Sequence, residues 1–239
     1  NMMRPTAAML VIGDEILSGR TQDTNTQFIA NRLTEVGINL SEVRVVSDSQ
    51  EHIISSLNTL RITYNYVFTC GGIGPTHDDI TADAVAKAFG VGISVREDAK
   101  QILSTNYTEG EAAFNEARLR MARIPDGALL IDNPISKAPG FNLENVYVMA
   151  GVPSIFKVMV ENVVSTLEGG PPLLSISVKF VRPESEIAKS LEIIATSFSG
   201  GSIGSYPFNE DGIQGTIVVA RHFDITSLKA AESELKKLR

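Results

Sequence analysis

The stretch GGIGPTHDD at residues 71–79 places a glycine cluster next to two acids, directly before a predicted helix. Glycines let backbone N–H groups approach an anion, and the start of a helix favours phosphate through its dipole. The acids would repel that anion unless a cation came with it. Mg²⁺ is commonly held by one or two carboxylates together with substrate phosphates. The candidate ligand-binding residues of this loop are Gly71, Gly72, Gly74, Pro75, Thr76, Asp78, Asp79 and Thr81.

The two acids also have a purely structural interpretation. Thr76 and Asp79 have the spacing T-x-x-D, which is close to a capping box at the start of a helix. One aspartate could cap the helix while the other binds metal, so the two interpretations are compatible.

A second set of polar residues, GDEILSGRTQDTN at 13–25, follows the first apolar strand. Acids at the end of a buried strand are costly unless they are solvated or coordinated. With a metal they could activate water for attack on phosphorus, whereas a surface turn would leave them without a function. Asp23, Thr24 or Asn25 could cap the following helix. The candidates are Asp14 and Glu15 for catalysis, Asp14 for metal, and Gly13, Ser18 and Asn25 for ligand binding.

Two further loops could contribute to the same site. AGVPS at 150–154 leads into a helix, with Gly151 and Pro153 as candidate ligand contacts and Ser154 as the predicted N-cap and a third contact. NPISKAPGF at 133–141 carries Lys137, whose ammonium could meet a phosphate or could simply be exposed.

The elements around these loops alternate between strands and helices, which predicts a mostly parallel sheet covered on both faces. Loops after parallel strands project from one edge of the sheet, where ligands of such folds bind. The predicted strands are Thr6–Ile12, Val43–Val46, Tyr66–Cys70, Ala128–Ile131 and Val146–Met149. The predicted helices are Asn25–Val36, Gln50–Leu60, Thr81–Phe89, Asp98–Arg118 and Ser154–Thr166.

The segment EGGPPLL at 168–174 contains two glycines and two prolines and is the predicted linker. We therefore expect a first domain over 4–168, a linker over 169–174 and a small βαββα domain over 175–239. The predicted elements of the small domain are the strands Ser175–Val181, Ser202–Tyr206 and Gln214–Ala220, the helix Glu184–Thr196 and a last helix from Ile225.

Composition excludes several classes of function. The net charge is −7, and residues 171–239 carry 8 basic and 8 acidic residues, so the acidic excess lies in the first 170 residues. Such a surface disfavours binding to nucleic acid. The chain has no apolar run long enough to span a membrane, no signal peptide is expected, and a single cysteine fits a reducing cytoplasm. The three histidines are scattered, so no zinc site is expected.

Four ordered motifs, GDEILSGRTQDTN, GGIGPTHDDIT, NPISKAPGF and VMAGVPS, resemble the molybdopterin-binding (MoaB/Mog-like) domain family. Together they look like its branch named for competence/damage-inducible protein A, CinA. The resemblance implies a three-layer α/β fold, with Asp79 as the signature aspartate. Asp79 is therefore the expected metal ligand in this loop and, with Asp14 and Glu15, a candidate for catalysis. The tail is similar to the small α+β, KH-like domain that follows in this branch. GSIG at 201–204 matches the letters of an RNA-binding G-x-x-G clamp, but it precedes a predicted strand without a basic cluster, so we expect no RNA binding.

Relatives in the CinA branch are associated with metal-dependent hydrolysis of ADP-ribose, and a related domain of eukaryotic FAD synthases with FAD hydrolysis. Other relatives bind or adenylylate molybdopterin. Many CinA proteins carry a further domain that deamidates nicotinamide mononucleotide. The 239 residues end before such a domain, so that activity is not expected of them. Related domains often form dimers or trimers, so the resemblance implies a homo-oligomer.

Three hypotheses follow. The first is a Mg²⁺-dependent pyrophosphatase acting on an ADP-containing nucleotide such as ADP-ribose or FAD. The second is a protein that binds or adenylylates a pterin, with molybdopterin as the ligand. The third is a non-catalytic binding module. The small ligand is a nucleotide or a pterin in the first two cases, and neither nucleic acid nor a membrane is expected as a partner.

Overall fold

The computed structural model of the protein describes residues 4–107 and 115–239. Strands and helices alternate through most of the first 170 residues, as the sequence predicts. In chain order the elements are β1 (Thr6–Ile12), α1 (Asp14–Leu17), α2 (Asn25–Glu35), β2 (Asn39–Val46), α3 (Gln50–Thr63), β3 (Tyr66–Cys70), α4 (Thr81–Phe89), β4 (Ile93–Val95), α5 (Glu97–Ser104), α6 (Glu116–Arg120), β5 (Arg123–Pro125), β6 (Leu129–Ile131), β7 (Gly140–Leu143), β8 (Val146–Met149), α7 (Pro153–Val164), β9 (Leu174–Phe180), α8 (Glu184–Ser197), β10 (Ser202–Glu210), β11 (Ile213–His222) and α9 (Ile225–Lys236).

Among the described residues, the main sheet has the strand order β2-β1-β3-β8-β7-β6. β2, β1, β3 and β8 run parallel, and β7 and β6 add an antiparallel edge. The predicted mostly parallel sheet is therefore confirmed. Since the strands paired in register end together, with Val11 opposite Cys70 and Cys70 opposite Met149, the loops that follow them start side by side.

Strand β1 shows why the sheet is covered on both faces. Its residues from Ala7 to Ile12 are all buried, as expected of a central parallel strand. Leu10 and Ile12 pack in one core with helices α3 and α4, whereas Met9 and Val11 pack in a second core with helices α2 and α7. The alternation of side chains along a strand thus builds a helix–sheet–helix arrangement of three layers.

The predicted single helix Asp98–Arg118 is wrong. Helix α5 ends at Ser104, and the described residues that follow it form a turn. Helix α6 begins afresh at Glu116, because the side chain of Asn115 accepts a hydrogen bond from the N–H of Arg118 at 2.9 Å and caps it. The middle of the predicted helix, residues 108–114, lies outside the described residues.

Three short strands were not predicted. β4 and β5 pair with each other in an antiparallel ladder, and β7 lies between β6 and β8 in the main sheet. Each has only three or four residues, which is too short for an alternation of apolar and polar residues to be recognised.

The chain divides into two compact units, the first ending at Gly170 and the second being Pro171–Arg239. In the second unit the strands form an antiparallel sheet in the order β10-β11-β9, and helices α8 and α9 pack on it around Phe180, Ile187 and Leu228. This is the small α+β arrangement that the sequence predicts. The GSIG letters fall at the start of β10.

Among residues 4–107 and 115–239, no helix is both long enough and apolar enough to cross a bilayer.

Candidate functional site

The loops after β1, β3 and β8 meet at the carboxyl edge of the main sheet. The N–H of Gly71 donates to the carbonyl of Met149 at 3.2 Å, and the N–H of Gly13 donates to the carbonyl of Val46 at 3.0 Å. The structure therefore brings together the loops that the sequence singles out, with the loop after β2 beside them.

Glycines are required at residues 71 and 72 because other atoms lie where a side chain would begin. Gly71 has φ +97°, and a Cβ there would lie 2.1 Å from the carbonyl oxygen of Ile12. Gly72 has φ +73°, and its Cβ would lie 2.1 Å from Oγ1 of Thr81. Thr81 in turn donates from Oγ1 to the carbonyl of Gly71 at 2.9 Å and from its N–H to the carbonyl of Gly72 at 3.0 Å. Through these two hydrogen bonds Thr81 ties the end of the loop to its beginning.

The glycine loop leaves hydrogen-bond donors unused. Within residues 4–107 and 115–239, no partner accepts a hydrogen bond from the backbone N–H of Gly72, Ile73 or Gly74. The three residues that carry these N–H groups are half-buried. Successive unpaired backbone N–H groups are the kind of donors that bind anions.

Asp79 is fixed within the same loop. Its Oδ2 accepts hydrogen bonds from the N–H of Thr76 at 2.8 Å and from Oγ1 of Thr76 at 2.9 Å. Its carbonyl oxygen accepts two hydrogen bonds from the guanidinium of Arg120, at 3.1 and 3.0 Å. The predicted contact of Thr76 with Asp79 is present, but it closes a turn before the helix. Helix α4 starts at Thr81, and the residue at its N-cap position is Ile80.

Asp78, the neighbour of Asp79, is placed differently. Its carboxylate lies 2.9 Å from Nε2 of His77, and its side chain is 70% exposed. Asp78 therefore faces solvent, whereas Asp79 is half-buried.

Asp14 and Glu15 begin the short helix α1 directly after β1. Asp14 is tied to Asp48, which follows β2: the N–H of Asp14 donates to Oδ2 of Asp48 at 3.1 Å, and the N–H of Asp48 donates to Oδ1 of Asp14 at 3.2 Å. Burial raises the pKa of Asp48, and the negative charges of Asp14, Glu15 and Asp79 raise it further, against the hydrogen bond from the N–H of Asp14. Negative charge therefore accumulates at this edge of the sheet.

Glu15 and Asp79 both lie against a glycine. A Cβ on Gly13 would be 2.6 Å from Oε1 of Glu15, and a Cβ on Gly74 would be 2.8 Å from Oδ2 of Asp79. The absence of a side chain at these two positions is what lets each carboxylate fold back over its own loop.

Ser18 and Asn25 occupy the rest of the first loop. Ser18 is exposed and donates from Oγ to the carbonyl of Glu15 at a long 3.4 Å. Asp23 caps helix α2, because its Oδ1 accepts from the N–H of Asn25 at 3.0 Å and from the N–H of Thr26 at 3.3 Å. Asn25 is buried and uses Nδ2 to donate to the carbonyl of Gly151 at 2.9 Å, which joins the first loop to the third.

The predicted N-cap at Ser154 is wrong. Helix α7 begins one residue earlier, at Pro153, and its N-cap position is Val152. Proline is favoured at the first helical position because its fixed φ suits the helix and its missing N–H would have no partner there. Ser154 is exposed.

The loop containing Lys137 is organised by Asn133, a residue that the sequence does not mark. Asn133 is 1% exposed; its Nδ2 donates to Oγ of Ser136 at 2.7 Å and to the carbonyl of Ala138 at 2.9 Å. Lys137 adopts φ +65° and is half-buried.

These loops enclose a cavity of about 340 Å³. Of the predicted site residues, the cavity is lined by Glu15, Gly71, Gly72, Gly74, Pro75, Asp79 and Gly151. The other lining residues are Ile73, Met121, Asn133, Ser136, Ala138, Ala150, Val152 and Ile155. The predicted site residues that do not line it are Gly13, Asp14, Ser18, Asn25, Thr76, Asp78, Thr81, Lys137, Pro153 and Ser154. Asn25 and Pro153 instead line a smaller adjoining cavity of about 40 Å³.

The residues that line the cavity are of two chemical kinds. Gly72, Ile73 and Gly74 carry the unpaired N–H groups, and Glu15 and Asp79 carry carboxylates. Ile73, Met121 and Ile155 contribute apolar side chains, which we term the apolar wall. Among the described residues, no group of three or more histidine, cysteine, aspartate or glutamate side chains is arranged to hold a metal ion by itself.

Fold and cavity together define a three-layer α/β domain with a glycine-loop site at the carboxyl edge of its sheet, followed by a small α+β unit. Residues 8–169 match the family described as probable molybdopterin binding domain. Residues 172–238 match the FAD synthase middle domain.

Individual relatives are similar to most of the chain. A protein of Pyrobaculum calidifontis is 34% identical over 193 residues, which cover 77% of this chain and 74% of the relative. A protein of Saccharolobus islandicus is 32% identical over 190 residues, covering 77% and 72%. The crystal structure of CinA from Thermoplasma acidophilum, a protein with unknown function, is 32% identical with a TM-score of 0.60, covering 65% of this chain and 94% of that chain. The chain therefore belongs to the molybdopterin-binding (MoaB/Mog-like) domain family, in its CinA-like branch.

Proposed function

We propose that the first unit binds the diphosphate of an ADP-containing nucleotide and hydrolyses it with the help of Mg²⁺. The observation that carries this proposal is that one cavity is lined both by residues 72–74, whose backbone N–H groups are unpaired among the described residues, and by the acids Glu15 and Asp79. The N–H groups favour an anion and the carboxylates favour a cation. A diphosphate bound together with Mg²⁺ satisfies both.

The carboxylates present fit a Mg²⁺ ion. Oxygen ligands suit this hard cation, which usually completes its shell with water and substrate phosphates rather than with protein groups alone. Of the two acids after β1, Glu15 lines the cavity and Asp14 does not, so Glu15 and Asp79 are the pair that would hold the metal. Asp14, tied to Asp48 beside them, would add to the negative charge that attracts the cation.

Each part of the site has a separate task in this proposal. The N–H groups of residues 72–74 bind and orient the diphosphate. A bound Mg²⁺ would stabilise charge on the phosphoryl oxygens and lower the pKa of a coordinated water. Asp79, fixed by Thr76 and Arg120, keeps its carboxylate at one position, and Glu15 orients the attacking water. The apolar wall with Met121 and Ile155 packs against the organic part of the ligand and limits access of other water.

The two family matches support the class of ligand. Molybdopterin and FAD both join a heterocycle to phosphate, and FAD contains the ADP group of the proposed substrates. The first match also supports a second candidate function, the binding or adenylylation of a pterin. In that case the same N–H groups would hold the phosphate of the pterin, and its ring would lie on the apolar wall.

The experiment is a hydrolysis panel of ADP-ribose, FAD, NAD and diadenosine phosphates, each with Mg²⁺ or EDTA. Asp79→Asn keeps an oxygen for Thr76 but removes the charge. Metal-dependent release of AMP should therefore fall by about 100-fold or more, the scale of losing one preorganised electrostatic group in an active site. Asp126→Asn is the matched control, since Asp126 lies in an exposed turn and does not line the cavity.

The outcomes separate the candidates. AMP release that needs Mg²⁺ and is lost only in Asp79→Asn supports the pyrophosphatase. If no substrate is hydrolysed and molybdopterin binds tightly in EDTA, the pyrophosphatase proposal is wrong and pterin binding takes its place. If no substrate is hydrolysed and neither a nucleotide nor molybdopterin binds, the first unit is a non-catalytic module for neither ligand.

A further inference from the structure

Ser136 belongs to the lining of the cavity of about 340 Å³, which we term the main cavity. It is half-buried and lies in the turn between strands β6 and β7. In the sequence, the segment NPISKAPGF points to Lys137 as its ligand contact, and nothing marks the serine before it. The hydrogen bonds of the turn give Ser136 a role that its residue type alone does not.

The buried amide of Asn133 makes the Ser136 oxygen a hydrogen-bond acceptor. Asn133 is 1% exposed, and its Oδ1 accepts from the N–H groups of Ile135 at 3.2 Å and Ser136 at 3.1 Å. Its Nδ2 donates to the carbonyl of Ala138 at 2.9 Å, and since a carbonyl can only accept, the amide has one possible orientation. Nδ2 therefore also donates to Oγ of Ser136, at 2.7 Å.

The proton of the Ser136 hydroxyl has no partner in the described part of the chain. A hydroxyl carries one O–H donor besides its lone pairs, and Asn133 uses a lone pair. Within residues 4–107 and 115–239, no group accepts a hydrogen bond from Oγ of Ser136. Asn133 thus fixes the oxygen and leaves the O–H available to a ligand. A donor that is fixed before binding loses little freedom when the ligand arrives.

The chain that leaves this turn lies beside the glycine loop. Ala138 lines the main cavity together with residues 72–74, and Pro139 lines a smaller cavity of about 10 Å³ with the same three residues. The unpaired N–H groups of residues 72–74 and the O–H of Ser136 therefore belong to neighbouring segments that line one cavity.

We propose that Ser136 donates a hydrogen bond to a phosphoryl oxygen of the nucleotide whose diphosphate lies on the glycine loop. This inference rests on the proposed function and adds a side-chain donor to the same site. A phosphoryl oxygen carries negative charge, so it accepts a stronger hydrogen bond than a neutral atom of a sugar or a ring does. Ser136 is then a ligand-binding residue, and Asn133 is the positioning residue that holds its oxygen in place.

The test uses three ligands that contain different parts of the nucleotide. The first is an ADP analogue with a methylene bridge between its phosphates, which resists hydrolysis. The second is methylenediphosphonate, which has phosphoryl oxygens but no sugar or ring, and the third is adenosine, which has no phosphoryl oxygen. Calorimetric titration with Mg²⁺ gives the Kd of each. Ser136→Ala should bind the analogue and the diphosphonate about 10- to 150-fold more weakly, the range for a hydrogen bond to a charged group. It should bind adenosine as the wild-type protein does.

Two further variants serve as controls. Ser136→Thr keeps a hydroxyl at the same position and should bind all three ligands about as tightly as the wild-type protein. If Ser136→Thr lost as much affinity as Ser136→Ala, the hydroxyl would not be the group that binds, and the proposal would be wrong. Ser55→Ala removes an exposed hydroxyl of helix α3 that does not line the cavity, so each Kd should stay the same.

The combination of ligand and variant separates a direct contact from a general disturbance of the turn. If Ser136→Ala weakened adenosine by the same factor as the analogue, Ser136 would serve only the shape of the cavity. If it weakened the analogue but not the diphosphonate, the hydroxyl would contact the sugar or the ring. Either result would overturn the proposal, as would unchanged binding of the analogue, or a diphosphonate that does not bind the wild-type protein although the analogue does. If neither phosphorus-containing ligand bound the wild-type protein, the proposed function would be wrong, and the Ser136 contact with it.

Discussion

The substitution Gly72→Ala tests whether close packing of Thr81 on the glycine loop shapes the site. Gly72 has φ +73°, and a methyl group there would overlap Oγ1 of Thr81, which would lie only 2.1 Å away. Thr81 is fully buried and donates to the carbonyl of Gly71. To make room, Thr81 must move and give up that hydrogen bond.

The expected loss of stability has two parts. A residue with a side chain in the left-handed region costs about 1–2 kcal/mol. Leaving a buried hydrogen-bonding group without its partner adds about 1–3 kcal/mol. Gly72→Ala should therefore lower the free energy of unfolding by about 2–5 kcal/mol.

Gly90→Ala is the matched control. Gly90 ends helix α4, the helix that Thr81 begins, and it has a similar φ of +67°, but no heavy atom lies within 4 Å of the position of its Cβ. Gly90→Ala should lower the free energy of unfolding only by the cost of a side chain in the left-handed region, about 1–2 kcal/mol. The difference between the two variants isolates the contact with Thr81.

Urea denaturation followed by tyrosine emission measures both losses. The chain has no tryptophan, and four of its five tyrosines (Tyr64, Tyr66, Tyr107 and Tyr147) belong to the first unit, so the signal reports mainly on that unit. Equal losses for the two variants would refute the reasoning, since the clash at Thr81 would then contribute nothing. A loss in Gly72→Ala without weaker nucleotide binding would show that the loop tolerates the shift of Thr81.

Three further predictions concern single side chains. Because burial raises the pKa of Cys70 to about 12, the folded protein should resist iodoacetamide at about pH 8 and react once urea unfolds it; rapid alkylation of the folded protein would contradict this. Phe156→Ala should cost about 3–5 kcal/mol, because Phe156 is fully buried, whereas Leu129→Ala, at a side chain that is 69% exposed, should stay within about 0.5 kcal/mol; urea denaturation compares them. The raised pKa of Asp48 means that the folded state keeps this proton to higher pH than the unfolded state, so its contribution to stability falls as pH rises from the ordinary carboxyl pKa through the raised one. In EDTA, Asp48→Asn should therefore gain stability relative to the parent across that interval; a difference that does not change with pH would contradict the assignment.

Much of the fold could be predicted because its central strands are continuous apolar segments that end at turn signals. The bounds of β1, β3 and β8 agree with the predictions, as do those of helix α4, which Gly90 ends in the left-handed conformation. Helices α2, α3 and α4 also start where the sequence predicts, at Asn25, Gln50 and Thr81. The start of α7 differs from the prediction, because several residues near a helix start can cap it. At α7 the proline at position 153 decided the start, and the serine after it took no part in capping.

The convergence of the three loops could also be predicted, because parallel strands carry their following loops to one edge. The same rule could have found Asp48, which comes two residues after β2 at that edge. Met121 could not have been found this way. It follows the short helix α6 in the crossover between the third strand and the antiparallel edge, and its neighbours in the cavity come from distant parts of the chain.

The choice between Asp78 and Asp79 shows what sequence can and cannot decide at a loop. The two residues have the same side chain and adjacent positions, and an irregular loop has no period that assigns one of them to the interior. The structure shows that the space beside two glycines decides which acids line the cavity. Gly74 leaves space that the carboxylate of Asp79 fills, just as Gly13 leaves space for Glu15, and these are the acids that line the cavity. Asp78 has no such glycine beneath it and pairs with His77 at the surface. Since Asp14 and Asp78 follow the same two glycines in the sequence, only the folded loop shows which acid occupies the space that each glycine leaves.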